Sequence, residues 1–199
     1  MKTENLKKMF AIITILGMLV MMIWYGFSVV TGIARPTIST WVIFCFAVSF
    51  SFLTYRKSKK PSLLDNIANV IDFVFCWSIT VVIIFFGKNI RFSLNIIEIF
   101  CFISILFIVI FWLKTKSHEN ANIFLQIIMV IAYFPMFYQL WNATENYEPI
   151  FPWIANLTAG LSNIFAAILA KNKLAIIYSA RMVIMLSILL FLILRIKSL

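Results

Sequence analysis

Apolar residues run along this chain in seven stretches of about 20, at 9–31, 38–55, 63–86, 95–113, 121–141, 150–170 and 174–194. About 20 helical residues cross a hydrocarbon core of about 30 Å, so each stretch predicts a transmembrane helix. The joints between them are short and polar, as in "YRKSKKPSLLD", "GKNIRFS", "KTKSHENAN" and "NATENYEPIFP". None is long enough to fold as a separate soluble domain. The pattern therefore predicts one compact bundle whose function lies within the membrane or at its faces. The first stretch follows "MKTENLKK". Its apolar core is too long for a secretory signal and no A-x-A-like cleavage site follows before "GIARPT", so it is read as helix one.

Composition agrees with the pattern. Hydrophobic residues make up 63% of the chain and charged residues 12%, with a mean hydropathy of +1.03; a soluble domain has roughly half and about a quarter. The formal charge is +10. With a cytoplasmic N terminus, the inner segments hold Lys2, Lys7, Lys8, Arg56, Lys57, Lys59, Lys60, Lys114, Lys116, Lys171 and Lys173, eleven cations. The outer ones hold Arg35, Lys88, Arg91, Arg195 and Lys197, five. The positive-inside rule then predicts N-in and C-out, and attraction to anionic lipid headgroups accounts for the basic joints without nucleic acid.

Cys45, Cys76 and Cys101 lie in separate apolar runs with no CxxC. They predict packing residues rather than a disulfide framework or a metal site. His118 reads as a solvated joint residue. Trp41, Trp112, Trp141 and Trp153 fall near helix ends, where an aromatic belt anchors a bundle.

A shift of 112 residues sets Trp41 on Trp153, Ile38 on Ile150, Ala47 on Ala159, Lys59 on Lys171 and Ala68 on Ala180 without a gap. Helices one to three and five to seven match in length and spacing, and helix four is left over. Three plus one plus three predicts two parallel triple-helix bundles, residues 1–87 and 121–199, joined by a linker helix in 88–120.

In this layout the chain resembles the SWEET, MtN3 and PQ-loop superfamily. The resemblance is most specific in "AYFPMFYQLWNATENYEPIFPWIANLTAGLSNIFAAILAKNKLAIIYSARMVIML", where Pro135 stands in place of the family's PQ proline. It implies an all-α integral membrane fold and a pore-facing asparagine on the third helix, a position that Asn69 matches and whose repeat mate is Arg181. Met136 replaces the glutamine of the PQ pair, helix one lacks the matching proline, and the charge bias is opposite to that of plant-type members. A sugar substrate does not follow, and PnuC-type carriers of vitamin-precursor ribosides are similarly compatible.

The candidate site comes from polar groups placed against the pattern. Arg181, in "AIIYSARMVIMLS", lies eight residues past Lys173, about 12 Å into the membrane. An arginine at that depth costs roughly 2.5–3.5 kcal/mol and calls for a partner or a wet cavity. Asp65, Asn69, Asp72 and Cys76 recur at helical spacing on one face, which makes Asp72 the natural counter-ion for Arg181. Asn156, Gly160, Asn163 and Ala167 form a second stripe, partly a packing pattern because the Ala155/Ala159 and Ala166/Ala170 pairs permit close approach. Glu98 reads as a solvated helix-end residue. Pro135 frees a carbonyl one turn earlier and is either a hinge or a static kink.

Asp72 and Arg181 are thus either a structural clip or the lining of a solute path. The path reading predicts a transporter of a small polar solute, anions included, working by alternating access with Arg181, Asp72, Asn69, Asn156 and Asn163 at the site. The alternative is a membrane receptor or regulatory protein that binds without flux. Membrane lipids are the expected partners. No nucleophile set, metal-ligand spacing or Gly-rich phosphate loop points to an enzyme, cofactor or metal, and no lysine lies deep enough for a retinal Schiff base.

Overall fold

A computed structural model describes residues 2–90 and 95–197. Arg91 and the end of the "GKNIRFS" joint lie outside the described residues. Among the described residues, eight helices follow one another: α1 (Lys2–Thr31), α2 (Ile38–Arg56), α3 (Ile67–Phe86), α4 (Ile96–Thr115), α5 (His118–Ala132), α6 (Phe134–Trp141), α7 (Ile150–Leu169) and α8 (Lys173–Lys197). The α5 and α6 helices form one span interrupted at Tyr133, so seven segments are long and apolar enough to cross a membrane. The chain is an all-helical, multi-pass membrane protein.

Local chemistry sets the ends. Pro135 occupies the first turn of α6; it has no amide to continue the α5 ladder, and the span breaks two residues before it. Asn95 and Glu98 close α4 with a capping box, each side chain bonding the other's backbone amide at 2.9 and 3.1 Å. Gly32, just past α1, has φ +83°, a left-handed turn that glycine enters without strain. Helix α3 begins at Ile67 rather than at 63: residues 63–66 form turns. Asp65 consequently sits ahead of the helix and pairs with Lys7 of α1 at 2.9 Å.

The longest helix interface is α1 on α7, followed by α8 on α7. Helix α3 packs against both α1 and α2, α8 against both α7 and the α5–α6 span, and α5 against α2. The α1–α7 contact depends on small residues. A Cβ on Gly17 would stand 2.9 Å from the Ala155 carbonyl oxygen and 3.0 Å from Ala159 Cβ, and Thr14 and Ser162 add hydrogen bonds across the same seam. Helix α4 touches α2 and the α5–α6 span along one side and turns Phe100, Leu106 and Phe107 outward, as a lipid-facing helix must.

Candidate functional site

The middle of the bundle encloses a cavity of about 50 Å³. Its walls come from α2 (Thr40, Trp41, Phe44, Val48), α3 (Asp72, Phe75, Cys76), the α5–α6 break (Tyr133, Met136), α7 (Trp153, Asn156) and α8 (Arg181, Met182). Asp72, Arg181 and Asn156 thus meet at one void although 109 residues separate the first two.

Asp72 and Arg181 do not touch. Among the described residues the ion pairs are those of Lys7 with Glu4 and Asp65. The expected direct counter-ion contact is replaced by Tyr178, which is fully buried. Its hydroxyl donates to Asp72 Oδ2, and its ring lies under the Arg181 guanidinium with the carbon 4.8 Å from the centroid. A cation over a ring face is held by the ring quadrupole. Arg181 Nε donates to Gln126 Oε1 at 3.1 Å, which draws the guanidinium toward α5. Asp72 Oδ1 receives no hydrogen bond from any described residue.

Gln126 links this pair to a second polar layer. Its amide donates to Ser51 Oγ at 2.9 Å, and the same hydroxyl receives Asn69 Nδ2 at 3.2 Å and Asn122 Nδ2 at 3.3 Å. Asn122 also reaches the Ser51 carbonyl at 2.8 Å and Thr54 Oγ1 at 3.1 Å. Asn69 therefore faces this layer and not the cavity, contrary to the repeat-based expectation, because Ser51 of the adjoining helix offers an acceptor within reach. Asn163 is likewise drawn away: its Nδ2 donates to Ser179 Oγ at 2.6 Å and its Oδ1 accepts from the Ala68 amide at 3.3 Å. Both asparagines join helices. Asn156 is the one of the three that reaches the void, and its Oδ1 has no partner.

Beyond this layer the α2–α3 and α7–α8 joints are bonded to each other. The Tyr55 hydroxyl donates to the Ser62 carbonyl at 2.8 Å and accepts from Asn172 Nδ2 at 2.8 Å. Toward the other face the cavity continues. A second void of about 20 Å³ shares Thr40, Trp41 and Met136 with it and extends past Tyr25 to Arg35 and Glu148.

Trp41 and Trp153 are inside the molecule rather than on an aromatic belt. Both line the cavity, and the Tyr25 ring sits between them with centroids 5.4 and 5.2 Å away. Trp153 Nε1 donates to Glu148 Oε2 at 3.1 Å. Burial raises the Glu148 carboxyl to about 7, against the hydrogen bonds of Trp153 and Tyr25 that favour its anion. Trp112 is also buried and donates to His118 Nδ1 at 2.6 Å, so His118 closes the α4–α5 turn instead of standing free in solvent. Trp141 is exposed and carries Arg195 over its ring at 4.3 Å.

Glu98 differs most from its sequence reading. It is only 1% exposed, and its Oε1 accepts from Ser39 and Thr40, each at 2.7 Å. The "ST" pair that opens α2 supplies hydroxyl donors to a carboxyl oxygen of another helix. Gln126, Tyr178, Ser51 and Glu148, which carry the polar architecture, were missed for a common reason: each is an ordinary residue whose role needs a partner more than 50 positions away or a loop folded inward. The α5 pair Asn122 and Gln126, four apart in an otherwise apolar run, was the one readable signal.

Compared with known proteins, the chain matches no family model, no curated relative and no solved structure.

Proposed function

We propose that the chain is a transporter, a facilitator or carrier that moves a small polar solute by alternating access around the central cavity. One observation carries the reading: two opposite charges, Asp72 and Arg181, line a void in mid-bundle without pairing with each other. A clip would bring them together, since direct contact of opposite charges offsets the cost of burying each more than neutral partners do. The vestibule toward Arg35 and Glu148, set against the closed Tyr55–Asn172 contact, supports a conformation open toward one face.

The same reading takes the helices as two parallel triplets joined by α4, the layout that resemblance to the SWEET, MtN3 and PQ-loop superfamily implies. Each third helix, α3 or α8, packs against the first and second of its own triplet, and the first helix of each triplet packs on the second of the other, α1 on α7 and the α5–α6 span on α2. A two-fold axis along the membrane normal produces that exchange. Trp41 and Trp153, repeat mates, flank one cavity in support of it. The basic joints then face the cytoplasm, with the vestibule on the outer side.

Reconstituted vesicles test the proposal. A transporter moves a polar solute at a rate abolished by Arg181→Gln or Asp72→Asn with the thermal transition retained. Unchanged flux with a lowered transition overturns it in favour of the clip, and saturable binding without flux makes the protein a receptor.

A further inference from the structure

We propose that the central cavity binds a small amino-acid zwitterion, its carboxylate on Arg181 and its ammonium on Asp72. The inference rests on reading the cavity as the solute site and adds the chemical class of the solute.

Charge balance is the first argument. Arg181 and Asp72 together are neutral, and they line the same void with Tyr178 and Gln126 holding them apart. A monoanion bound there leaves a net negative site inside the bundle, and a monocation a net positive one. Either is costly far from water. A zwitterion satisfies both groups in opposite senses and leaves the filled site neutral, with each contact a charge-assisted hydrogen bond.

The free valences agree. Asp72 Oδ1 takes no hydrogen bond from a described residue, and the guanidinium spends its Nε on a neutral carboxamide instead of a carboxylate. Asn156 is 5% exposed with an unpartnered Oδ1 and borders the same space, so it supplies a third polar contact. Trp41, Phe44, Phe75 and Trp153 enclose the rest. Aromatic faces accept an ammonium and a short alkyl group together.

Size limits the solute. A water needs about 10–15 Å³ measured this way, so a cavity of about 50 Å³ holds roughly three to five waters, or an amino acid of the order of glycine or alanine.

Alanine, propionate and ethylamine, which lack respectively nothing, the ammonium and the carboxylate, are titrated against the purified full chain by calorimetry and thermal shift. Alanine is expected to bind at least tenfold more tightly than either partial analogue, as the loss of one charge-assisted contact dictates. Asp72→Asn should erase the preference over propionate and Arg181→Gln that over ethylamine. Wild-type protein that binds propionate or ethylamine as tightly as alanine, or binds none of the three, overturns the inference without reference to any variant. Labelled alanine and a panel of sugars are then followed in vesicles. Alanine binding without flux overturns the transport reading and keeps the zwitterion site; sugar flux without alanine binding does the reverse.

Discussion

Glu148 is a carboxyl that titrates in an accessible range for a structural reason. It lies in the α6–α7 joint at the vestibule, only 4% exposed, and this burial outweighs its hydrogen bonds with Trp153 and Tyr25, so its neutral form is favoured up to about 7. The unfolded chain releases this proton near 4.5. Between those values the folded state holds more protons, so stability falls as pH rises from about 4.5 to about 7 and the penalty is complete above that. A shift of this size is worth on the order of 3 kcal/mol. Glu148→Gln should flatten that slope and raise the thermal transition at pH 8 relative to wild type; a variant retaining the wild-type pH dependence contradicts the assignment. Asn163 gives a second residue-scale expectation. Asn163→Ala strands the Ser179 hydroxyl and the Ala68 amide in the interior, and a loss of about 1–3 kcal/mol is expected, read as a lower transition with solute binding retained.

Helices meet here through two kinds of seam. The α1–α7 seam is closed by absence of side chain at Gly17, where even one added carbon meets the Ala155 carbonyl. Gly17→Val must push the helices apart, and overpacking of this kind costs typically 1–3 kcal/mol; thermal melts in detergent would register it, and a neutral effect would mean that α1 does not bear on α7 at this register. The other seam is polar, made by Ser51 of α2 accepting from α3 and α5 and tied through Gln126 to Arg181 of α8. Within the transport reading, its dependence on side-chain amides suits contacts that are broken and remade. Pro135→Ala restores the amide missing from the α5–α6 span. Within the transport reading it should leave binding intact and slow flux, since the break at Tyr133 and Met136 borders the cavity; unchanged flux would make the kink static.

At the scale of the molecule, the three native cysteines report access. Cys76 lines the cavity, Cys45 is bonded to Thr80, and Cys101 is buried on α4. With Cys45 and Cys101 replaced by alanine, a small impermeant thiol reagent should modify Cys76 from the face bearing Arg35 and Glu148 and not from the lysine-rich face. Tyr55→Phe, which removes the hydroxyl joining Ser62 and Asn172, should increase modification from the lysine-rich face. Tags at the two termini, on opposite sides of a seven-span chain, locate that face; a cytoplasmic N terminus supports the charge-based orientation and an external one reverses it.

Periodicity and composition determined the membrane class, the seven spans to within a few residues except at the start of the first, where α1 begins at Lys2 rather than at 9, the break near Pro135 and the conclusion that Arg181 and Asp72 lie inside the bundle. Those features are local: hydropathy over about 20 residues, a missing amide and the cost of burying charge follow from the chain alone. Which polar groups share a void was decided by tertiary structure. The direction a buried side chain takes is set by the nearest acceptor on another helix, so Asn69 and Asn163 turned to Ser51 and Ser179, Tyr178 came between Asp72 and Arg181, and Glu98 was buried against Ser39 and Thr40. None of these partners is identified by spacing, because helix rotation and depth are fixed only when all the neighbouring helices pack.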